Sequence, residues 1–487
     1  MKSILFTFTL IFAVAGLPLQ AVSATKLAKP NIIVILTDDL GWADVGAQDI
    51  QKDIRTPNID ALAAGGLRAT SGYVTAPQCV PSRAGLNTGR NQCRFHVESN
   101  GDTLEGFDAQ TTIASRLKKA GYATGMTGKW HLGPVNKIIT HGYDDVYCNQ
   151  GQGGTAWANF DLAGKTIPGA TIASPEYHLD ANSAAACAFI KRHQDQPFYF
   201  YLAYRAPHVP LDATQKYLDR FPGPMPDRRR ECLAMMSAVD DGVGQIMATL
   251  RQCGLETNTL VFFLSDNGAP LKITKADTKP VTKQGWDGSL NWPMNGEKGM
   301  LSEGGIREPW IAYWKGRIPA GQTYRQPVIS LDIGATAVAL AGLPHDSMLD
   351  GVNLLPYLTG ENPAAPHDTL CWRWVAQAAI REGKWKLLVG GSRSYLYDLD
   401  ADPSEQHSLL AQQPEIAQQL RAKLESWATE LQPPGLSVKP MAKTWEEYYD
   451  YYLDGKPVAP DAIAVTKEKK DGKAKGEAAA KPDDSDE

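Results

Sequence analysis

The stretch Asn31-Ile32-Ile33-Val34-Ile35-Leu36-Thr37-Asp38-Asp39 sets a run of β-branched and aliphatic residues, bounded by Pro30, directly against two carboxylates. An unbroken apolar run of this length predicts a strand buried on both faces, as in the middle of a parallel sheet. The pattern returns at Thr259 to Leu264, TLVFFL, which leads into Ser265-Asp266-Asn267-Gly268. It appears again at Pro197 to Tyr204, PFYFYLAY, which leads into Arg205-Ala206-Pro207-His208. Helical patterns alternate with these runs: Thr112 to Ala120 reads as a helix, and Gly121 to Met126 as a turn and short strand. The expected fold class is therefore α/β, a mainly parallel central sheet flanked by helices. In such sheets ligands gather beyond the carboxyl ends of the strands, where these polar residues stand.

Two such strands side by side would bring together Asp38, Asp39, Asp266 and Asn267. Three carboxylates in a partly dry pocket repel one another unless a cation neutralises them. Oxygen ligands without Cys or His in either segment favour a hard ion, Ca²⁺ or Mg²⁺, over zinc. Asp-Asp alone serves equally as a helix cap, and Asp-Asn-Gly as a tight turn. Their shared placement after apolar strands is what selects the metal reading.

The string Cys79-Val80-Pro81-Ser82-Arg83-Ala84-Gly85-Leu86-Asn87-Thr88-Gly89-Arg90 places a small nucleophile at a helix start beside an arginine. Pro81 suits a first helical turn, and the free N–H groups and dipole there favour an anion. Further along, Thr127-Gly128-Lys129-Trp130-His131-Leu132-Gly133 carries Lys129 and His131 two apart, on one side of an extended segment. Gly296-Glu297-Lys298-Gly299 precedes Glu303-Gly304-Gly305-Ile306-Arg307.

The string from Cys79 to Arg90 closely resembles the signature of the type I, formylglycine-dependent sulfatases of the alkaline phosphatase-like superfamily, with Asn87 slightly off pattern. TDDLGWADVG, GKWHLG, the strand followed by Pro207-His208, LSDNGAP and GEKG…EGGIREP match sulfatase segments in the expected order, over roughly Asn31 to Leu343. The resemblance implies that Cys79 is oxidised to Cα-formylglycine, whose hydrate is the nucleophile. A thiol would leave a stable thiosulfate adduct, whereas a geminal diol expels sulfate by collapsing to the aldehyde. It further implies one calcium ion held by Asp38, Asp39, Asp266 and Asn267 and touching residue 79. Arg83 and Lys129 would hold the hydrate, and Lys129 and Lys298 the sulfate oxygens. His131 would accept a proton from the second diol hydroxyl, and His208, with Lys298, would donate to the leaving alcohol oxygen. Asp266 would also help deprotonate the attacking hydroxyl. Ser302 and Glu308 depart from the pattern, and Trp286, Asp287, Asn291 and Trp292 lie in an insertion whose aromatics would stack on sugars or pack the loop.

Composition frames this reading. The 487 residues are 43% hydrophobic and 21% charged, with a net charge of -5, enough for a large core and no basis for nucleic-acid binding. Residues 1–24 read as a signal peptide, with an apolar run from Ile4 to about Leu19 and small residues up to Ala24; a membrane anchor fits less well, because the run is short. Export to the periplasm or the extracellular space follows, with no membrane span in the mature chain. Seven cysteines leave six beside Cys79, a number compatible with disulfides outside the cytosol. The expected organisation is a catalytic domain over 25–365, a smaller α+β subdomain over 366–455 and a disordered charged tail over 456–487. Within the subdomain, Ala378 to Val389 and Tyr395 to Leu399 read as antiparallel strands and Pro414 to Leu431 as a helix, with Trp372 and Trp374 facing the active-site cleft or, the preferred reading, its core.

The expected activity is hydrolysis of sulfate esters on a sulfated saccharide or polysaccharide, with a formylglycine-generating maturase as the other partner. Two rivals stand beside it. One is a phosphatase or phosphonate monoester hydrolase of the same superfamily, disfavoured because Lys129, His131, His208 and Lys298 fill the place of a second, imidazole-bound metal. The other is a non-catalytic glycan-binding homologue.

Overall fold

A computed structural model describes residues 29–151, 153–272 and 286–457. The expected signal peptide and nearly all of the expected tail lie outside the described residues.

Ten strands form the main sheet, in the spatial order Gln322–Tyr324, Leu67–Ala69, Trp310–Tyr313, Thr259–Ser265, Asn31–Asp38, Phe198–Pro207, Ala123–Gly128, Asp145–Cys148, Thr155–Phe160, Thr166–Ala173. Asn31–Asp38 sits at the centre, parallel to Thr259–Ser265 and to Phe198–Pro207. Its eight residues are all buried, as the unbroken apolar run requires. The pairing of Thr37 with Ser265 sets Asp38 beside Asp266 at one end of the sheet. Antiparallel strands enter at both flanks, Trp310–Tyr313 on one side and Thr155–Phe160 on the other. The sheet is thus mixed but mainly parallel in its middle, as expected.

Helices cover both faces, and a separate apolar cluster lies on each. The helix Cys79–Thr88 belongs to one cluster, and His178–Arg192 with Asp227–Gln252 to the other. The helix Ile113–Lys119 begins at a Thr112 cap whose side chain accepts from the Ser115 N–H.

A second sheet of four antiparallel strands, Thr369–Trp374, Gln377–Glu382, Trp385–Gly390 and Arg393–Asp398, packs under the helix Pro414–Ala428. Two strand readings change here. The run from Ala378 to Val389 is a hairpin broken at Gly383, which takes φ +55°. A further strand, Thr369–Trp374, places Leu370, Trp372 and Trp374 in a core shared with Met300, Leu301 and Tyr73, the last in a short strand, Gly72–Tyr73, paired with Val328–Ile329. Trp372 is fully buried and its indole N–H donates to the Val74 carbonyl at 2.8 Å, so the core assignment of this residue holds.

All seven cysteines are free thiols. Cys93, Cys148 and Cys232 are enclosed and act as small packing residues. Among the described residues no helix is long and apolar enough to cross a membrane.

Candidate active site

The central strands deliver their terminal residues to one buried pocket. Asp38 ends the first strand, and Asp39 follows it with φ +62°, a left-handed conformation that turns its carboxylate back over the sheet edge. The turn is held by Asp266, whose Oδ1 accepts the Asp39 N–H at 3.2 Å. The helix Cys79–Thr88 is buried at every residue and aims its first turn at this corner. Cys79 Sγ lies 3.4 Å from Asp38 Oδ1 and 4.0 Å from Asp39 Oδ1.

Arg83, one turn along the same helix and fully enclosed, ties the pocket together. Its Nε donates to Asp266 Oδ2 at 2.8 Å, its Nη1 to the Lys129 carbonyl at 2.9 Å, and its Nη2 stands 3.5 Å from Asp38 Oδ1. Lys129 Nζ pairs with Asp38 Oδ2 at 2.7 Å, and Lys298 Nζ with Asp39 Oδ2 at 3.1 Å. Gly128, at φ +93°, admits Lys129 to this position, since a Cβ there would stand 1.9 Å from the Ala203 carbonyl oxygen. His131 follows at φ +57°, a second left-handed non-glycine residue in the pocket wall.

The expectation that three carboxylates demand a foreign cation is met in part by the chain itself, because Arg83, Lys129 and Lys298 each reach one of them. The residues nonetheless fit a hard ion. Ligand atoms of Asp38, Asp39, Cys79 and His208 all lie within 4.8 Å of one another. Asn267 Nδ2 donates to Asp39 Oδ1 at 2.6 Å, which leaves its buried Oδ1 beside these oxygens without a donor. A buried amide oxygen without a donor is costly, and a bound cation would satisfy it. Asp266, expected among the ligands, meets Arg83 through Oδ2 and the Asp39 N–H through Oδ1, and His208 stands in the close cluster beside Asp38, Asp39 and Cys79.

The two histidines sit in opposed electrostatic settings. Burial, reinforced by Lys129 and Arg83, holds His131 well below the usual imidazole range. Burial and Lys129 also act to lower His208, but Asp38 and Asp39 outweigh them and raise it. His208 Nδ1 lies 2.5 Å from the Val209 carbonyl, so Nδ1 carries the hydrogen and Nε2 faces Asp39 Oδ2 at 3.6 Å. For Asp38, burial acts upward, yet Lys129, His208, Arg83 and Lys298 together hold the carboxyl well below its usual range. Burial, with Asp38 and Asp39 and against Arg83, pushes Asp266 up to about 6. Burial, with Asp266, pushes the Cys79 thiol well above its ordinary value, so the unmodified side chain is a poor nucleophile.

The pocket thus brings together Asp38, Asp39, Cys79, Arg83, Lys129, His131, His208, Asp266, Asn267 and Lys298. The sulfatase family profile matches residues 30–343, and the profile for the N-sulphoglucosamine sulphohydrolase C-terminal region matches residues 295–431. The chain belongs to the sulfatase family. Sulfatases are sulfuric ester hydrolases. Porcine (Sus scrofa) N-acetylgalactosamine-6-sulfatase is 36% identical over 67% of this chain, and the match spans 65% of that protein, just under two thirds. Human (Homo sapiens) arylsulfatase A is 32% identical over 80% of this chain and 86% of its own. Among solved structures, Ps i-CgsB in complex with k-i-k-neocarrahexaose is 31% identical with a TM-score of 0.72, covering 88% of this chain and 98% of that one. The phosphonate monoester hydrolase of Agrobacterium radiobacter shares the fold at 21% identity and a TM-score of 0.61, over 82% of this sulfatase and 96% of its own chain.

In the insertion before Lys298, Trp286 is buried against Ala43, Ala269, Leu271 and Leu290, so it packs the loop and offers no sugar platform. Trp292, in contrast, is 62% exposed. Sequence reasoning passed over Glu297, Trp445 and Tyr452, which fasten the loop of Lys298. The only local signal for them was a buried-type acid beside the lysine and an aromatic-rich helix near the end of the chain.

Proposed function

We propose that this sulfatase hydrolyses sulfate esters on a sulfated saccharide outside the cytoplasm, after a maturase converts Cys79 to formylglycine. The observation that carries the reading is the meeting of Cys79 with Asp38, Asp39 and His208 within 4.8 Å, braced by Arg83. The assignment of a saccharide follows the names of the relatives, which act on or bind sugars. Residues 25–365 form the catalytic domain in this reading and 366–455 the smaller subdomain.

Asp38, Asp39, Asp266 and Asn267 would hold one divalent cation, Ca²⁺ or Mg²⁺, with residue 79 alongside. Bound there, the ion would neutralise and orient the sulfate group as a Lewis acid. The aldehyde hydrate at position 79 would supply an oxygen nucleophile and a second hydroxyl whose deprotonation drives sulfate off. Arg83 and Lys129 hold that hydrate, and Lys129 and Lys298 take the sulfate oxygens. Asp266 supports deprotonation of the attacking hydroxyl. His208, with Lys298 beside it, delivers its Nε2 proton to the departing alcohol oxygen, the role for which a raised imidazole is suited. His131, kept neutral by burial and nearby cations, accepts the second hydroxyl's proton on its unpartnered Nδ1. Two titrating groups pushed in opposite directions within one pocket support this acid and base division.

The test combines mass spectrometry of the Cys79 peptide with paired rates on aryl sulfate and aryl phosphate. An aldehyde at residue 79 and faster sulfate hydrolysis are expected. A persistent thiol in protein from its native host would favour a glycan binder, and faster phosphate hydrolysis would favour the phosphatase or phosphonate hydrolase reading. Thorough chelation should abolish turnover, and added Ca²⁺ or Mg²⁺ should restore it.

A further inference from the structure

The loop that carries Lys298 is fastened by a helix nearly 150 residues further on. Glu297 is 1% exposed, and its Oε2 accepts the N–H groups of Leu271 and Lys272, both at 2.6 Å, just beyond the Asp266-Asn267 segment. Its Oε1 accepts the Tyr452 hydroxyl at 2.9 Å, from the helix Lys443–Tyr452. Two residues earlier, Asn295 Nδ2 donates to the Tyr452 carbonyl at 2.8 Å. On the other side of Lys298, Gly299 takes φ +87°, and the Trp445 indole lies 2.1 Å from where a Cβ would stand. Gly299 N–H donates to the carbonyl of Pro77 at 2.9 Å, two residues before Cys79. Its carbonyl accepts from Gln377 Nε2 at 2.9 Å, and Gln377 Oε1 in turn accepts the Tyr449 hydroxyl at 3.0 Å. Burial and Glu297 raise the Tyr452 phenol well above its ordinary value, so it remains a donor.

Both neighbours of Lys298 are therefore pinned to this helix, while the lysine reaches inward to Asp39. A lysine is a compact charge on a flexible stem, and its location depends on where its backbone is held. We propose that the helix Lys443–Tyr452 is a positioning element of the active site: Tyr452 through Glu297, and Trp445 through Gly299, set where the Lys298 ammonium meets the leaving-group oxygen. Displacement of a catalytic group by about 1 Å from a remote change can cost roughly 10²-fold in rate. The inference rests on the leaving-group role proposed for Lys298.

The test uses Tyr452→Phe, which keeps the ring and removes the bond to Glu297, and Trp445→Leu, which uncovers Gly299. Both are compared with wild type at matched formylglycine content on aryl sulfates whose phenols range from acidic to weakly acidic. If Lys298 is displaced, the loss falls on poor leaving groups, which need the ammonium most. For Tyr452→Phe we expect kcat to drop about fivefold on the least activated ester and less than twofold on the most activated, as the loss of one hydrogen bond allows. Trp445→Leu should show the same steepening to a larger degree, and Trp445→Phe should recover part of it. Equal losses across the series, or none, in a folded Tyr452→Phe protein would overturn the positioning role while leaving the sulfatase reading intact. A correctly matured wild type inactive on every sulfate ester would remove that reading, and this inference with it.

Discussion

Two buried clusters in this protein use the same residue types and close differently. At the seam between the two sheets, Lys386 reaches Glu303 at 2.8 Å and Glu405 at 2.9 Å, and all three are enclosed. Glu303 also accepts from the Tyr73 hydroxyl at 2.8 Å and Arg307 at 3.0 Å, while the Glu303 N–H donates to Glu405 Oε2 at 2.6 Å. The active-site cluster pairs Asp38, Asp39 and Asp266 with Arg83, Lys129 and Lys298 just as densely. There, however, Asn267 Oδ1 and His131 Nδ1 are buried without a hydrogen-bond partner, whereas Glu405 Oε1 at the seam, which also makes no hydrogen bond, is ion-paired with Lys386 at 2.9 Å. A satisfied network fixes a fold, whereas unmet donors and acceptors mark where a guest completes the count.

The contrast is sharpest at Cys79. Cys79→Ala should lower turnover by roughly 10³-fold or more, because the nucleophile is gone, with little change in melting temperature. Sulfate hydrolysis that survives in a preparation free of wild-type enzyme would refute the assignment. The seam should behave in reverse: Lys386→Met leaves two carboxyl groups enclosed without their ammonium and should cost about 3–5 kcal/mol in urea unfolding. A loss below about 1 kcal/mol would mean that the seam relaxes and takes in water.

The seam also carries a signature in pH. Burial and Glu303, against Lys386, raise Glu405 to about 7, above its ordinary 4.5. A carboxyl whose folded pKa is raised holds its proton more tightly when folded, so its contribution is full below the unfolded value and fades as pH climbs to the folded one. Relative to Glu405→Gln, the wild type should therefore lose stability between about pH 4.5 and 7 and level off above. Parallel melting curves for the two proteins across that window would dismiss the raised value. Glu303 works the other way. Lys386, Arg307 and Arg381 overcome burial and hold it at about 2, so its contribution is present above 4.5 and is lost as pH falls toward 2.

The smallest expected effect lies between the two clusters. Glu308 is 1% exposed, and neither of its carboxyl oxygens has a hydrogen-bond partner. Burial, with Asp266, Asp39 and Glu303, raises it well above the usual carboxylate range. Glu308→Val should stabilise the fold by about 1 kcal/mol, since it removes a polar group that no protein atom satisfies from an enclosed position. Equilibrium unfolding that shows destabilisation instead would reveal a partner for this carboxyl.

The active-site cluster was far more legible in the sequence than the seam. Asp38, Asp39, Asp266 and Asn267 follow apolar strands directly, so reading the strands placed them, and the helix at Cys79 announced itself through Pro81 and its small residues. Nothing local links Glu303 to Lys386 or Glu405, because their meeting depends on how two sheets dock. The same holds for Glu297 and Tyr452. The strand Thr166–Ala173 was missed because it is largely exposed and shows no apolar alternation. The strand Thr369–Trp374 does alternate, and its signal was lost by treating two tryptophans as isolated residues.

Total enclosure of Cys79 has a consequence for biogenesis. A side chain with no solvent exposure is beyond the reach of another protein once the sheet has closed over it. Any enzyme that remodels this residue would have to reach it before the chain has folded. The helix that fastens the loop of Lys298 is synthesised hundreds of residues after Cys79, so a modifying enzyme acting on the nascent chain would meet this residue before that fastening exists.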